Sequence, residues 1–214
     1  MRSAILTLFL ASFLSAGDQP LEPVRVPGII DLRNAACPVS AAKIEAGVTD
    51  DWHGVRVHLA GEVERAKFRE APAAFLEKLG LVVGGTAEAP LLDLANARCP
   101  VMGRPAKADV FATLEGVRVR FCCARCKTGF PKEAAKHLTT LGYIYLPPVM
   151  DLRNKNCPVM AQETVEGEGE IYADFDGIRV RFCCDECIET FRKDPARFYR
   201  KMGVDPTALR ELLG

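Results

Sequence analysis

The chain carries no net charge and contains few aromatic residues and only three histidines. Its 28 lysines and arginines balance 28 acidic residues, so no overall basic field points to a nucleic-acid partner. Hydrophobic residues at 49% and charged residues at 26% exclude a disordered, collagen-like or polytopic membrane chain. No Ser/His/Asp arrangement, phosphate-binding loop or paired-carboxylate pattern argues for an enzyme. Cysteine is abundant instead: the 214 residues include nine, and six of them lie in two short clusters.

The first 17 residues have the pattern of a secretory signal peptide. Arg2 is followed by an apolar run over residues 4–14 and then by small residues. The run is too short to span a bilayer as a mature helix, and the alternative is an N-terminal core helix. We expect cleavage near Ala16–Gly17 and no membrane span afterwards. The mature protein would then be periplasmic or extracellular, where unprotected thiols tend to pair.

One sequence unit occurs three times along the chain. Each copy contains Asp-Leu-x-Asn-x-x-Cys-Pro-Val, then a Gly-(Val/Ile)-Arg-Val segment, then a helical stretch that ends at a glycine. These features predict an α+β protein of three tandem small units over residues 27–80, 90–142 and 149–203. Residues 81–90 and 143–149 are expected to be linkers, and 204–214 a C-terminal tail. The motif cysteines are Cys37, Cys99 and Cys157, and the closing glycines are Gly80, Gly142 and Gly203.

Each unit is expected to be a β-hairpin, a turn that holds thiols, and one broken helix. The dipeptides His53-Gly54, Glu115-Gly116 and Asp176-Gly177 lie between β-forming segments and indicate hairpin turns. In the third unit, Asp194-Pro195 interrupts the helix and restarts it, because proline suits a first helical position. Phe198 and Met202, four residues apart, are expected to face the same core.

The second and third units each contain four cysteines, whereas the first has Ala60, Gly61 and Glu64 at the cluster positions and keeps only Cys37. Four sulfurs match a tetrahedral thiolate site for zinc or a softer site for copper(I). We therefore predict one ion per intact unit, two in total. The start of a helix should also favour thiolate at the cluster. The candidate ligands are Cys99, Cys122, Cys123, Cys126, Cys157, Cys183, Cys184 and Cys187.

Several alternatives to this ligand set stay open at the sequence level. Adjacent cysteines on an extended chain point to opposite sides, so the pattern does not decide which of each pair binds. Two disulfides per unit would also use four cysteines, although a bond between neighbours would be strained. Cys122 and Cys126 could form a redox centre, but no histidine accompanies either cluster. Met102 and Met160 could add thioether ligands, but they are expected in the core.

The first unit offers only a weak candidate site. His53 and His58 flank its hairpin and could rebuild a poorer site with Cys37 and Glu64. We expect these histidines on the surface instead. Trp52 occupies the position of Leu114 and Phe175 in the other units and is expected in the core.

The pattern Asn-x-x-Cys-Pro-Val-Met, a hairpin, Phe-Cys-Cys-x-x-Cys, Phe and Asp-Pro resembles the YHS and TRASH-like heavy-metal-binding domains. The resemblance covers residues 93–142 and 151–203, and residues 31–80 only in framework. It implies small treble-clef-like units that bind metal through cysteines and serve in metal sensing, metal transport or as metal-loaded modules. The second unit departs from the pattern, with Glu133-Ala134 in place of Asp-Pro, and the first lacks the ligands.

The charges around the two clusters differ in sign. Residues 93–142 contain nine basic and four acidic residues, whereas 151–203 contain nine basic and eleven acidic ones. Basic neighbours lower a thiol pKa and acidic ones raise it, so the two sites should differ in thiolate character and metal affinity. The flanking residues are Arg118, Arg120, Arg125 and Lys127 in the second unit, and Asp185 and Glu186 in the third.

Taken together, these patterns predict an exported protein that stores, delivers or senses zinc or copper. Its partners would be the metal ion and another metal-handling or envelope protein. A structural-zinc or disulfide-stapled interaction module is the first alternative, and a thiol redox protein the second.

Overall fold

The computed structural model describes residues 21–86, 90–161, 163–165 and 171–213. The predicted signal peptide and its cleavage point lie outside these residues. The strands are β1 Val24–Val26, β2 Ile29–Asp31, β3 Thr49–Trp52, β4 Val55–His58, β5 Val82–Gly85, β6 Pro90–Asp93, β7 Lys107–Leu114, β8 Val117–Phe121, β9 Ile144–Leu146, β10 Val149–Asp151, β11 Ile171–Phe175 and β12 Ile178–Phe182. The helices are α1 Glu62–Glu70, α2 Pro72–Lys78, α3 Ala124–Gly129, α4 Ala134–Thr139, α5 Asp185–Lys193, α6 Pro195–Lys201 and α7 Pro206–Glu211, with a 3₁₀ turn at Phe130–Glu133.

The protein is mixed α+β, with three four-stranded sheets in the described part of the chain. The strand orders are β3-β4-β2-β9, β7-β8-β6-β5 and β11-β12-β10-β1. In the first two sheets a hairpin supplies two antiparallel strands, and its second strand runs parallel to the strand that carries the Asp-Leu motif. In these two sheets the motif cysteines Cys37 and Cys99 therefore leave the sheet beside the strand that leads into the cluster position.

The predicted hairpin turns are confirmed. Both central residues of each turn have positive φ, as a two-residue turn of type I′ requires. The φ values are 44° and 86° at His53-Gly54, 48° and 84° at Glu115-Gly116, and 49° and 82° at Asp176-Gly177.

The broken helix is also confirmed. Helix α5 ends before Asp194, whose carboxylate accepts a hydrogen bond from the backbone N–H of Arg197, and Pro195 begins α6. Phe198 is buried as predicted, whereas Met202 is only half-buried. Gly80, Gly142 and Gly203 all have positive φ just after a helix, which is the usual conformation of a glycine that ends one.

The outer strands of the sheets were not predicted, because the segments that contain β5 and β9 were expected to be linkers. Strand β5 pairs with the strand that follows it, whereas β9 pairs with β2, more than a hundred residues earlier. Only Pro147 and Pro148 separate β9 from β10. Proline fixes φ near −65°, so these two residues cannot form the positive-φ turn of a two-residue hairpin.

Contacts divide the described chain into two compact units, called the larger and the smaller unit, which do not coincide with the three sequence units. The larger comprises residues 25–86, 90–150, 174–178 and 206–213, and the smaller comprises 21–24, 151–161, 163–165, 171–173 and 179–205. In the larger unit the first two sheets share one core, which includes Ile30, Phe68, Phe121 and Leu138. A Cβ at Gly54 would collide with the carbonyl oxygen of Glu115, so the hairpin turns of these two sheets meet backbone to backbone.

Aromatic residues pack together in the core of the smaller unit. In the smaller unit Phe191 lies 5.3 Å from Phe182, 5.4 Å from Phe198 and 5.2 Å from Tyr199, measured between ring centroids. In the larger unit Trp52 is half-buried and packs against the core, close to its expected place. Among the described residues no helix combines the length and apolarity needed to cross a bilayer.

Candidate metal centre

The second unit places its four cysteines on two segments that meet at one end of a sheet. Cys99 lies in a tight turn after β6, in which its N–H donates to the carbonyl of Arg104 and its own carbonyl accepts from Gly103. Cys122 and Cys123 follow β8 directly, and Cys126 lies in the first turn of α3. Because β6 and β8 run parallel, both segments leave the sheet at the same end.

This arrangement brings the sulfur atoms together. The Sγ atoms of Cys99, Cys122 and Cys126 all lie within 4.8 Å of one another. The Sγ of Cys126 is 3.8 Å from that of Cys122 and 3.5 Å from that of Cys123. Cys122 and Cys123 are 3.9 Å apart at sulfur, although they are neighbours in sequence. The distant cysteine and the helix cysteine therefore meet, as the sequence predicted.

The third unit repeats this geometry. The Sγ atoms of Cys157, Cys183 and Cys187 lie within 4.8 Å of one another. Cys187 is 3.6 Å from Cys183 and 3.4 Å from Cys184 at sulfur, and the adjacent pair is separated by 3.9 Å. These are the two groups of potential metal-ligating side chains found among the described residues.

The sulfur spacing suits a shared metal ion. Sulfurs about 2.3 Å from a zinc ion at tetrahedral corners lie about 3.8 Å from one another, whereas bonded sulfurs are about 2.05 Å apart. Within the two groups, the separations of 3.8 Å between Cys122 and Cys126 and 3.6 Å between Cys183 and Cys187 lie close to the first value. All nine cysteines lie within the described ranges and are free thiols. The two clusters are therefore compatible with metal binding.

A buried asparagine holds the two segments of each cluster together. The Oδ1 atom of Asn96 accepts the backbone N–H of Arg120 at 2.9 Å. Its Nδ2 donates to the carbonyls of Arg98 and Arg120. These bonds join the Cys99 turn to the end of β8, two residues before Cys122. An ion pair between Asp93 and Arg120, 2.9 Å long, adds a second link.

The third unit contains the same clamp. Asn154 accepts from the N–H of Arg181 and donates to the carbonyls of Asn156 and Arg181, while Asp151 pairs with Arg181. This asparagine belongs to the repeated sequence motif, but no role was predicted for it. The available signal was its recurrence three residues before every motif cysteine.

Within the second cluster the thiol pKa values are shifted in opposite directions. Burial works to raise the pKa of Cys99, but hydrogen bonds from the backbone N–H groups of Cys122, Met102 and Val101 lower it overall. Burial, together with hydrogen bonds to the other thiols, raises the pKa of Cys126 to about 12. One cysteine thus favours the thiolate, and another keeps a proton that a metal ion would displace.

The third cluster shows the same directions. Burial tends to raise the pKa of Cys157, but backbone N–H groups of Met160, Cys183 and Val159 lower it. Burial raises the pKa of Cys183 to about 11 and also raises that of Cys187. The leading causes are burial and hydrogen bonds in both clusters, so a difference in metal affinity due to flanking charge stays a prediction.

The predicted effect of the helix start holds for Cys123 but not for Cys126. The backbone N–H of Cys126, with that of Arg125 and the neighbouring thiols, lowers the pKa of Cys123. For Cys126 itself the expectation was wrong in direction, because burial and the hydrogen bonds to other thiols outweigh any stabilisation of its thiolate.

The expectation that Met102 and Met160 are core residues was wrong. Their exposed fractions are 53% and 54%. Each methionine lies three residues after a motif cysteine, in the part of the tight turn that faces solvent. The turn that buries the cysteine thus exposes the methionine.

The weak candidate site in the first unit is not among the potential metal groups of the described residues. Cys37 is buried, and the Nε2 atom of His58 lies 2.7 Å from Asp31 Oδ1, so this histidine occupies the place that Arg120 takes beside Asp93. His53 is exposed as expected, whereas His58 is half-buried.

Comparison of the chain with protein-family models, with curated proteins and with solved structures finds no match. The site is therefore interpreted from its own chemistry.

Proposed function

We propose that this protein binds zinc or copper(I) in its two cysteine clusters and stores, delivers or senses the metal. The observation that carries the proposal is the convergence, in two separate places, of three thiols within 4.8 Å of one another. Soft thiolates select zinc and copper(I) over harder cations. We further propose that residues 27–80, 90–142 and 149–203 are three tandem treble-clef-like units related to the YHS and TRASH-like domains.

The first unit supports metal handling over a structural role for the ion. It forms a parallel β2–β4 pair, a β3–β4 hairpin and two helices without a thiol cluster. Its core residues Leu59, Phe68 and Leu76 are 0%, 1% and 0% exposed. These elements and this core therefore form without an ion, so a cluster in a similar unit is available for binding and release.

The location of the sulfurs supports exchange with solvent or a partner. Cys99 and Cys126 are buried, but Cys122 is half-buried and Cys123 is exposed. A competing ligand can thus approach one side of the bound ion without opening the core. We propose another metal-handling or envelope protein as the physiological donor or acceptor.

Native mass spectrometry of the reduced full chain, loaded with zinc, tests the proposal. We expect two bound ions, and a modest chelator should remove both while circular dichroism stays unchanged. Binding of no ion would contradict metal handling, and unfolding upon chelation would indicate structural zinc instead. Copper(I) loading of the same sample compares the two metals.

Single cysteine variants identify the ligands. Cys99→Ser and Cys157→Ser should each reduce the stoichiometry from two ions to one, because a hydroxyl is a poor ligand for these metals. Cys37→Ser is the matched control, since Cys37 occupies the same motif position but lies in neither cluster. Equal loss of metal in all three variants would contradict the assignment.

Export is a separate part of the proposal. It rests on the apolar run after Arg2, and it predicts a mature protein that begins near Gly17 and is found outside the cytoplasm. Terminal sequencing of protein from the source cells, after fractionation, tests it. An intact N-terminus in the cytoplasmic fraction would contradict it.

A further inference from the structure

The fourth cysteine of each cluster differs from the other three. Cys123 and Cys184 are outside the two groups that include the distant cysteines Cys99 and Cys157. Each nevertheless lies within 3.9 Å, at sulfur, of the other two cysteines of its own segment. Each is the first residue of a Cys-x-x-Cys pair whose second residue, Cys126 or Cys187, belongs to the group. The Sγ atoms of these pairs are 3.5 Å and 3.4 Å apart. Within the same Cys-Cys-x-x-Cys segments, Cys122 and Cys183 lie 3.6–3.9 Å from the other cysteines.

Access to the two sulfurs of each pair is unequal. Cys123 is exposed and Cys184 is half-buried, whereas Cys126 and Cys187 are 5% and 4% exposed. A dissolved oxidant therefore meets the first cysteine of the pair before the second. This combination of an accessible and a sheltered thiol, separated by two residues, is suited to reversible disulfide formation.

The remaining thiols have a further contact, to the distant cysteine. Cys99 accepts hydrogen bonds from the backbone and side chain of Cys122, and Cys157 makes the same contacts with Cys183. A disulfide between the adjacent residues Cys122 and Cys123 would be strained. Among the thiols of residues 122–126 the shortest sulfur separation is therefore that of Cys123 and Cys126, at 3.5 Å, against 3.8 Å for Cys122 and Cys126.

We propose that Cys123–Cys126 and Cys184–Cys187 are dithiol/disulfide couples whose oxidation expels the bound metal. This inference rests on the proposed function, because it requires Cys126 and Cys187 to be metal ligands. Closing the disulfide removes one thiolate from each group of three. The two thiolates that remain, such as those of Cys99 and Cys122, no longer enclose the ion.

The oxidant is a disulfide, and the exchange balances. The thiolate of Cys123 attacks one sulfur of the oxidant, forms a mixed disulfide and releases the first oxidant thiol. Cys126 then attacks the sulfur of Cys123, which forms the intramolecular bond and releases the second thiol. The two cysteine sulfurs lose two electrons in total and the oxidant gains them; its two sulfurs leave as thiolates, which take protons from solvent, and the bond between Cys126 and the ion breaks as the disulfide closes. The ion leaves with its charge unchanged.

The test uses the reduced, zinc-loaded full chain and oxidised glutathione as the oxidant. We expect the release of both zinc ions and the formation of two intramolecular disulfides. A zinc-sensitive dye measures the released zinc, and mass spectrometry detects the disulfides. Trypsin cleaves after Arg125 and the endoproteinase Glu-C after Glu186, so Cys126 and Cys187 leave in peptides separate from the adjacent pairs. Fragmentation of the linked peptides then shows which cysteine of each adjacent pair carries the bond.

Two matched double variants separate the couple from the metal site. The Cys123→Ser, Cys184→Ser variant should bind two ions when reduced. With oxidised glutathione it should release them at least fivefold more slowly than the wild-type protein. Cys122→Ser with Cys183→Ser should bind metal poorly but still form the Cys123–Cys126 and Cys184–Cys187 disulfides. Circular dichroism of both variants establishes that they are folded.

Three results would overturn the inference. The first is oxidation that links Cys99 to Cys122 instead, and the second is unchanged zinc release in the Cys123→Ser, Cys184→Ser variant. The third is loss of metal from that variant when reduced, since the fourth cysteine would then be an essential ligand. If reduced wild type binds no ion but still forms both disulfides, the proposed function fails while the couples themselves stand.

Discussion

The first and second sheets of the larger unit are built alike but differ in their chemistry. Both contain a parallel strand pair, a type I′ hairpin and an asparagine clamp. Only the second ends in a cluster of thiols, whereas the first has Ala60, Gly61 and Glu64 at those positions. The comparison indicates that hydrophobic burial and backbone hydrogen bonds form this architecture, and that the cysteines are additional to it.

The largest effect is expected when a thiol cluster is introduced into the first unit. Ala60→Cys, Gly61→Cys and Glu64→Cys together should complete a site with Cys37 and raise the stoichiometry from two zinc ions to three. The backbone at Gly61 is extended, and the nearest atom to a new Cβ belongs to the Glu64 side chain, which is replaced.

Native mass spectrometry under reducing conditions measures the gain. Adding Cys37→Ala to the same variant is the control and should return the stoichiometry to two. A third ion that persists without Cys37, or no third ion in a folded variant, would show that the two units differ in more than their cysteines.

The asparagine clamp offers the next comparison. Asn96→Ala should destabilise the larger unit by about 2 kcal/mol, since it leaves buried backbone groups without partners. It should also weaken metal binding at the second cluster, because the Cys99 turn is no longer tied to the strand before Cys122. Asn34→Ala removes equivalent bonds in the first unit.

Chemical denaturation and zinc competition, carried out on both variants, separate the two effects. We expect similar losses of stability but loss of metal affinity only for Asn96→Ala. Equal zinc affinity in the two variants would mean that the clamp does not position Cys99.

The pH dependence of the metal-free protein is a third comparison. Burial raises the pKa of Cys126 from its ordinary 9.0 to about 12. Between these two pH values the folded state keeps a thiol proton that the unfolded state has already released. The stability from this group is therefore fully present below about pH 9 and is lost as pH rises toward about 12. The pKa of Cys37 is lowered instead, so the first unit lacks this contribution.

Urea denaturation at a series of pH values checks this sign. The decline above about pH 9 should become shallower in Cys126→Ser and should not change in Cys37→Ser. A decline of unchanged slope in Cys126→Ser would assign the effect to other groups. Zinc affinity should show the opposite trend and rise with pH near neutrality, since binding displaces the thiol protons.

The smallest expected effect concerns the contact between the two hairpin turns. Gly54→Ala combines a positive φ with a collision against the Glu115 carbonyl, whereas a Cβ at Gly116 has 4.0 Å to the nearest atom. We expect Gly54→Ala to be more destabilising than Gly116→Ala by about 1–2 kcal/mol. Thermal denaturation of both variants measures the difference, and equal losses would contradict close packing of the turns.

Local features of this fold could be predicted from the sequence because their causes are local. The Glu115-Gly116 turn and the helix break at Asp194-Pro195 follow from the conformations that these residues favour. The meeting of Cys99 with Cys126 was predicted as well, because four cysteines per intact sequence unit match a tetrahedral thiolate site, while two disulfides per unit stayed open as an alternative.

The remaining features depend on partners that are distant in sequence. Strand β9 pairs with β2 instead of forming a hairpin with β10. The two prolines after β9 prevent a two-residue hairpin turn, and the edge of β2 is available for pairing. The exposure of Met102 depends on which side of a tight turn faces the core. The role of Asn96 became clear only when Arg120 was placed beside it.

X-ray absorption spectroscopy of the zinc-loaded, reduced protein asks directly whether the thiols of each cluster share one metal ion. We predict two zinc ions per chain, each coordinated by three or four sulfurs at about 2.3 Å. Zinc coordinated mainly by nitrogen or oxygen ligands would contradict the shared thiolate site.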